Sequence, residues 1–174
     1  MLLWFAGLSF VFVWSVFRDT AIDYRLVMAG ALLPDVVDVL TGGAGPMHTL
    51  SVSVFLLMAV MAATRSRRLL RRRLLAVPIG TFVHLILDGM WRRTEVFWWP
   101  FFGWGFGDER LPTEVRSGVA LLLMELAGLV ALLWVWRRFR LFEPDRRAKF
   151  LRTGRLGRDL LQVPPGAGEG PAAC

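Results

Sequence analysis

The sequence predicts an all-α integral membrane protein of about five transmembrane helices, with the N-terminus outside and the C-terminus in the cytoplasm. Three observations lead there. Mean hydropathy is +0.50 and 55% of the residues are hydrophobic, too apolar for an ordinary soluble domain. The apolar residues fall into runs separated by polar or Gly/Pro breaks. The positive charge is confined to one loop and one tail. Residues 65–73 hold six Arg and no acid, and residues 137–174 hold nine basic against four acidic residues. The rest of the chain carries six basic and ten acidic residues. That distribution is the positive-inside pattern and not a basic groove, so no nucleic-acid partner is expected despite the net charge of +7. The lone Cys174 excludes an internal disulfide framework and a thiolate metal cluster.

The five spans are read at about 1–17, 26–41, 48–64, 74–90 and 117–136, so residues 1–136 form a helical membrane domain. The first has no basic residue before it and no small-residue cleavage site, which makes it a retained helix and not a signal peptide. Thr41-Gly42-Gly43-Ala44-Gly45-Pro46 breaks the helix between the second and third spans. Residues 91–116, with four basic and four acidic residues among many aromatics, read as an outer loop with an interfacial aromatic belt. The fifth span is the most regular, at about 20 residues. Residues 137–174 read as a basic cytoplasmic tail, partly disordered at its Gly/Pro-rich end. Placing the Arg run and the tail inside puts 18–25 inside and 41–47 and 91–116 outside. The location that follows is a bacterial-type cytoplasmic (inner) membrane, with membrane lipids as partners.

Against this background the ionisable residues inside the spans stand out, because such residues are expensive there and mark function by default. They are Asp35 and Asp38 in Pro34-Asp35-Val36-Val37-Asp38, His48, His84 and Asp88 in His84-Leu85-Ile86-Leu87-Asp88, and Glu125. At 1.5 Å of rise per residue, heights above the inner face come to about 15 Å for Asp35, about 16 Å for His84 and about 17 Å for Glu125. The same count gives about 20 Å for Asp38, about 22 Å for Asp88 and about 25 Å for His48. All lie between mid-membrane and the outer leaflet. Asp35 and Asp38 are i,i+3 and His84 and Asp88 are i,i+4, so each pair shares a helix face. Imidazole nitrogen with carboxylate oxygen suits Zn²⁺, Mn²⁺ or Fe²⁺. Asp35, Asp38, His48, His84 and Asp88 are therefore the candidate metal ligands, zinc being the first choice. Asp38 or Glu125 is the candidate general base. Pro34 removes a helical N–H, which leaves a backbone carbonyl open toward a cavity. Two readings stay open. One is a metal-dependent hydrolase acting on an ester or phosphoester of a lipid or envelope precursor at the outer leaflet. The other is a non-catalytic membrane protein using the same residues as a polar or ion-binding network. The absence of an inverted repeat argues against a typical transporter.

The order LPDVVD, GPMHTLS, FVHLILDGMW and VFWWPF resembles the YdjM-like family of predicted membrane-bound metal-dependent hydrolases, over about residues 30–102. The family pattern is roughly LPDxD, HRGxTHS, HxxxD and a hydrophobic-Trp-Pro element, and the family is held to be distantly similar to zinc-dependent phospholipases C. The resemblance sets Asp35 at the first family aspartate, His48 at the histidine of THS and Thr49 in the Ser place, and it matches His84, Asp88 and Pro100 directly. It implies a membrane-bound hydrolase with a divalent metal. The chain departs from the pattern in three places. Gly43-Ala44 stands where the family has His-Arg, Asp38 lies at +3 and not +2, and an N-terminal histidine is missing. Those departures imply either a single-metal site or a member that no longer catalyses.

Overall fold

The computed structural model describes residues 1–41, 46–103 and 117–157. Among them the chain is all-helical, with no strand. The helices are α1 Leu2–Phe17, α2 Tyr24–Thr41, α3 Leu50–Ala63, α4 Arg68–Leu74, α5 Ala76–Asp88, α6 Thr94–Phe97, α7 Gly118–Arg138 and α8 Pro144–Thr153, with single 3-10 turns at Pro46–His48 and Met90–Arg92. Of these, α7 is long and apolar enough to cross a membrane; α1 and α3 are apolar but shorter.

The helix ends follow local chemistry. Thr49 caps α3, its hydroxyl accepting from the Val52 N–H at 3.2 Å and donating to the Pro46 carbonyl at 2.8 Å. Ser117 caps α7 in the same way through the Ala120 N–H, and Arg137 and Arg138 occupy its last turn, where cations oppose the helix dipole. Pro144 opens α8 at a position that has no use for its missing N–H.

Packing rests on α2 against α5 and on α1 against α7, with α1 also lying along α2. Both main crossings are made at glycines. A Cβ on Gly30 would overlap the Val77 backbone, and one on Gly80 would overlap the Val27 carbonyl; Gly7 and Gly128 do the same for α1 and α7. Small residues that let backbones touch are how helices associate where water offers no driving force between them. The apolar residues of α7 that face away from α1, among them Val119, Leu122, Leu123 and Val130, are exposed.

One end of the bundle gathers the segments that the charge pattern assigns to a single side. Phe10 stacks on Tyr24 with ring centroids 4.4 Å apart, and Trp14 meets Phe139 edge-on at 4.8 Å. The tail packs into this end. Phe139, Leu141 and Leu156 are buried in this core, and α8 was not anticipated. Only the stretch 158–174 of the expected tail lies outside the described residues. The Tyr24 N–H donates to the Gly154 carbonyl at 2.9 Å, and the Leu156 N–H donates to the Thr20 carbonyl at 3.1 Å. Asp23, 1% exposed, takes Arg73 at 3.0 Å and Arg25 at 3.2 Å, while Arg25 also reaches the Leu151 carbonyl. The Arg run, read as a loop, thus forms the short α4 and ties 18–25 to the tail.

Gly80→Leu forces α2 and α5 apart and costs about 3 kcal/mol, read as a lowered unfolding midpoint in detergent with helix content retained. Burial pushes the Asp23 carboxyl up, but the Arg25 and Arg73 guanidiniums and the Leu26 N–H outweigh that and hold it below the usual range. A depressed pKa stabilises the fold above the unfolded value of about 3.9 and loses that contribution as pH falls through the folded value. Amide protection in 144–156 therefore holds from neutral pH to about pH 4.5 and drops below about pH 3.9. Asp23→Asn removes about 2 kcal/mol at neutral pH, a figure kept low because Arg73 is half exposed and screened.

Candidate metal centre

The α2–α5 crossing decides where His84 points. With Gly30 and Gly80 in contact, the carbonyl of the next residue, Ala31, meets the His84 ring, and its oxygen lies 2.7 Å from Nδ1. A carbonyl only accepts, so the proton on that ring sits on Nδ1. Phe5 of α1 packs on the other face of the ring, centroids 4.0 Å apart, and His84 is fully buried. His48 ends the 3-10 turn before α3 and is 1% exposed. Its Nδ1 lies 3.0 Å from Oδ2 of Asp38, a carboxylate that is itself 7% exposed. The charge of that carboxylate favours a proton on Nδ1 of the second ring, although the two atoms are not aligned as a hydrogen bond.

Both rings then present the same face to each other. Nε2 of His84 and Nε2 of His48 are 3.1 Å apart. Oδ1 of Asp35 is 3.6 Å from the first and 4.0 Å from the second. Asp35, His48 and His84 are thus a group that could hold a metal ion. Atoms at those three separations lie on a circle of radius about 2.1 Å, the length of a Zn–N or Zn–O bond. The chemistry of the donors agrees with the geometry. Two neutral imidazoles protonated at Nδ1 would aim two lone pairs at each other across 3.1 Å, beside a carboxylate, which a metal ion or a proton shared between them relieves. Asp38 then serves as the carboxylate behind the histidine that fixes its tautomer and ring orientation, a standard arrangement around metals.

The other sequence candidates fall elsewhere. Asp38 stands behind His48 and not at the shared point. Asp88 is buried, at 2% exposed, but lies outside the group of three; the expected pairing with its i+4 histidine is not made, because Ala31 and His48 occupy the two nitrogens of His84. Glu125, the other candidate base, accepts from the Leu3 N–H at 2.9 Å and sits 3.6 Å from the Met1 amine, holding α1 to α7. The height count placed His48 about 9 Å above His84, yet the rings touch. That height counts back from Arg65 at helical rise, but α3 covers only Leu50–Ala63 and His48 lies outside it, in a 3-10 turn packed against α2 with its ring on His84. Gly43-Ala44, in the family's His-Arg place, lie outside the described residues. The Ala31 carbonyl was not anticipated as an anchor, although Gly30 and Gly80 were the signal for it.

These roles separate by metal affinity. His84→Ala removes a donor and abolishes stoichiometric binding of zinc in a competitive chelator titration. Asp38→Asn keeps all three donors and weakens binding by about 10- to 100-fold. Asp88→Asn leaves affinity within about threefold, on the scale that separates an outer partner from a bystander.

Against protein-family models, curated proteins and solved structures, the chain matches none.

Proposed function

We propose that the protein is a multi-pass protein of a bacterial-type cytoplasmic membrane that holds one divalent metal, zinc by preference, and hydrolyses an ester or phosphoester of a lipid or envelope precursor at the outer leaflet. The observation that carries this reading is the triangle of Nε2, Nε2 and Oδ1 atoms spaced for metal bonds, with Nδ1 of His84 engaged by the Ala31 carbonyl and Nδ1 of His48 beside the Asp38 carboxylate. Three protein donors of the two-histidine, one-carboxylate kind leave a coordination position open, as catalytic zinc and non-haem iron sites do. A divalent ion there would polarise a water or a substrate oxygen.

The chain's own residues supply the rest. His84 and His48 are buried and held from behind, so neither ring has to reorganise. Asp35, at about a quarter exposed, is the donor that substrate and solvent reach, and the second oxygen of its carboxylate is the proton acceptor for an attacking water. Asp38 and Glu125, the bases expected from sequence, are committed to His48 and to the Leu3 N–H.

Membrane crossing by five spans is supported by the exposed apolar face of α7 and by the gathering of 18–25, the Arg run and the tail at one end, away from the histidines. Membership of the YdjM-like family is supported by the fact that three of the motif residues behind the resemblance, Asp35, His48 and His84, are the three that converge. The same 3.1 Å separation favours one other reading, an N–H···N hydrogen bond within a charged imidazole–carboxylate network that holds no metal and catalyses nothing.

Protein reconstituted in vesicles of phosphatidylethanolamine and phosphatidylglycerol decides between them. The hydrolase reading expects release of a lipid fragment that stops with chelator, returns with zinc and falls to background in His84→Ala. Protein that carries no divalent metal as purified, and takes up none on titration with zinc, manganese or iron, would sink it.

A further inference from the structure

A groove of about 440 Å³ lies between α1 and α3, floored by α5, and its walls are almost wholly apolar: Phe12 and Val16 on one side, Val54 and Leu57 on the other, Ile79 and Phe82 below. Asp35, His48 and His84 do not line it, but it runs at their level on the neighbouring faces of α3 and α5. On α5 the lining runs from Pro78 to Ile86, about 12 Å of helix that spans the level of His84. On α3 it begins at Leu50, two residues after His48. On α1 it lies two or more turns beyond Phe5, which packs on His84. The groove therefore descends from the level of the histidines toward the end that holds the Arg run.

One polar group interrupts the lining. Ser53 is 4% exposed, lines the groove, and its Oγ has no hydrogen-bond partner among the described residues. Other helical hydroxyls find acceptors: Ser15 the Val11 carbonyl at 2.8 Å, Thr64 Val60 at 2.6 Å and Thr81 Pro78 at 2.9 Å along their own helices, and Ser51 of α3 the Trp99 carbonyl. A buried hydroxyl left without a partner costs free energy that a ligand atom recovers. Ser53 sits one turn below the Thr49 cap, about 5 Å deeper than His48 and its neighbour.

Building on the hydrolase reading, we propose that this groove binds an acyl chain of an ester-linked glycerolipid, with the Ser53 hydroxyl donating to the ester carbonyl and the headgroup side at Asp35, His48 and His84. A lipid of this kind carries a carbonyl a few bonds below its phosphate and an apolar chain below that. The order matches the sequence of metal donors, lone hydroxyl and apolar walls down the groove. No carbohydrate or soluble ester offers the last part.

The test uses the full chain in vesicles of phosphatidylglycerol doped with a phosphatidylglycerol bearing a photoactivatable diazirine in one acyl chain, in ester-linked and ether-linked forms. Cross-linked peptides are mapped by mass spectrometry, and zinc is measured on the same preparations. The expected result is labelling concentrated on residues 50–57 and 78–86, several-fold over the exposed face of α7, with the ester form preferred about fivefold for one hydrogen bond. Ser53→Ala erases the ester preference, and Leu57→Trp, which fills the groove from a partly exposed wall position, cuts labelling there while Leu126→Trp on α7 does not. Labelling spread evenly over the groove and α7, or an ester preference that survives Ser53→Ala, overturns the proposal even where zinc is bound. Concentrated labelling in protein that holds no zinc supports the groove and sinks the hydrolase reading instead.

Discussion

The contact between Gly30 on α2 and Gly80 on α5 sets the distance between the two helices that build the candidate centre. Neither position tolerates a Cβ, so the backbones touch, and that contact delivers the Ala31 carbonyl to the His84 ring. Once Nδ1 is engaged, Nε2 has one direction left, toward Asp35 on α2 and His48 from the turn before α3. A separation larger by one methyl group would leave a buried histidine without its anchor. The centre is thus a consequence of helix packing, and its donors are held by the most rigid part of the molecule, which is where a precise site is best placed.

The electrostatic problem created by that packing is what gives the site its chemical character. Two imidazoles and a carboxylate in a water-poor bundle cannot all stay neutral and satisfied, because both Nδ1 atoms are drawn to acceptors. A positive charge at the shared point resolves it. A proton would turn one buried ring into a cation flanked by Asp35 and Asp38, bridging only the two Nε2 atoms. A divalent ion uses both lone pairs and Asp35 together, at bond lengths of about 2.1 Å, which the existing separations already allow. The geometry favours the ion for that reason.

Much of the centre could be read from residue type alone. An ionisable side chain in an apolar run has little reason to be there except for a partner, and Asp35, His48 and His84 were found by that argument. The α-helical architecture followed equally from the apolar runs. The partners within the site were harder to see. The i,i+4 rule joined His84 to Asp88, but a helix face says which residues neighbour each other along one helix, and the contact that won came from another backbone. Glu125 shared a height with the site and nothing more; its carboxylate secures the first turn of α1. The docking of the tail was missed for a different reason: its charged residues hide the buried Phe139, Leu141 and Leu156, which pack beside Tyr24.

The bundle thus has two ends with different characters. At one, Asp23, Arg73 and the tail form a polar clasp around an aromatic core; farther along α1, α3 and α5 runs an apolar groove lined by one hydroxyl, Ser53, and beyond the clasp lie the three donors. The central claim, that these donors hold a metal ion, is tested most directly by X-ray absorption at the zinc edge on protein loaded with one equivalent of zinc and dialysed. The account predicts one retained zinc per chain with two imidazole nitrogens and oxygen donors at about 2.0–2.2 Å. Zinc lost on dialysis, or a retained ion whose shell contains no imidazole, would contradict it.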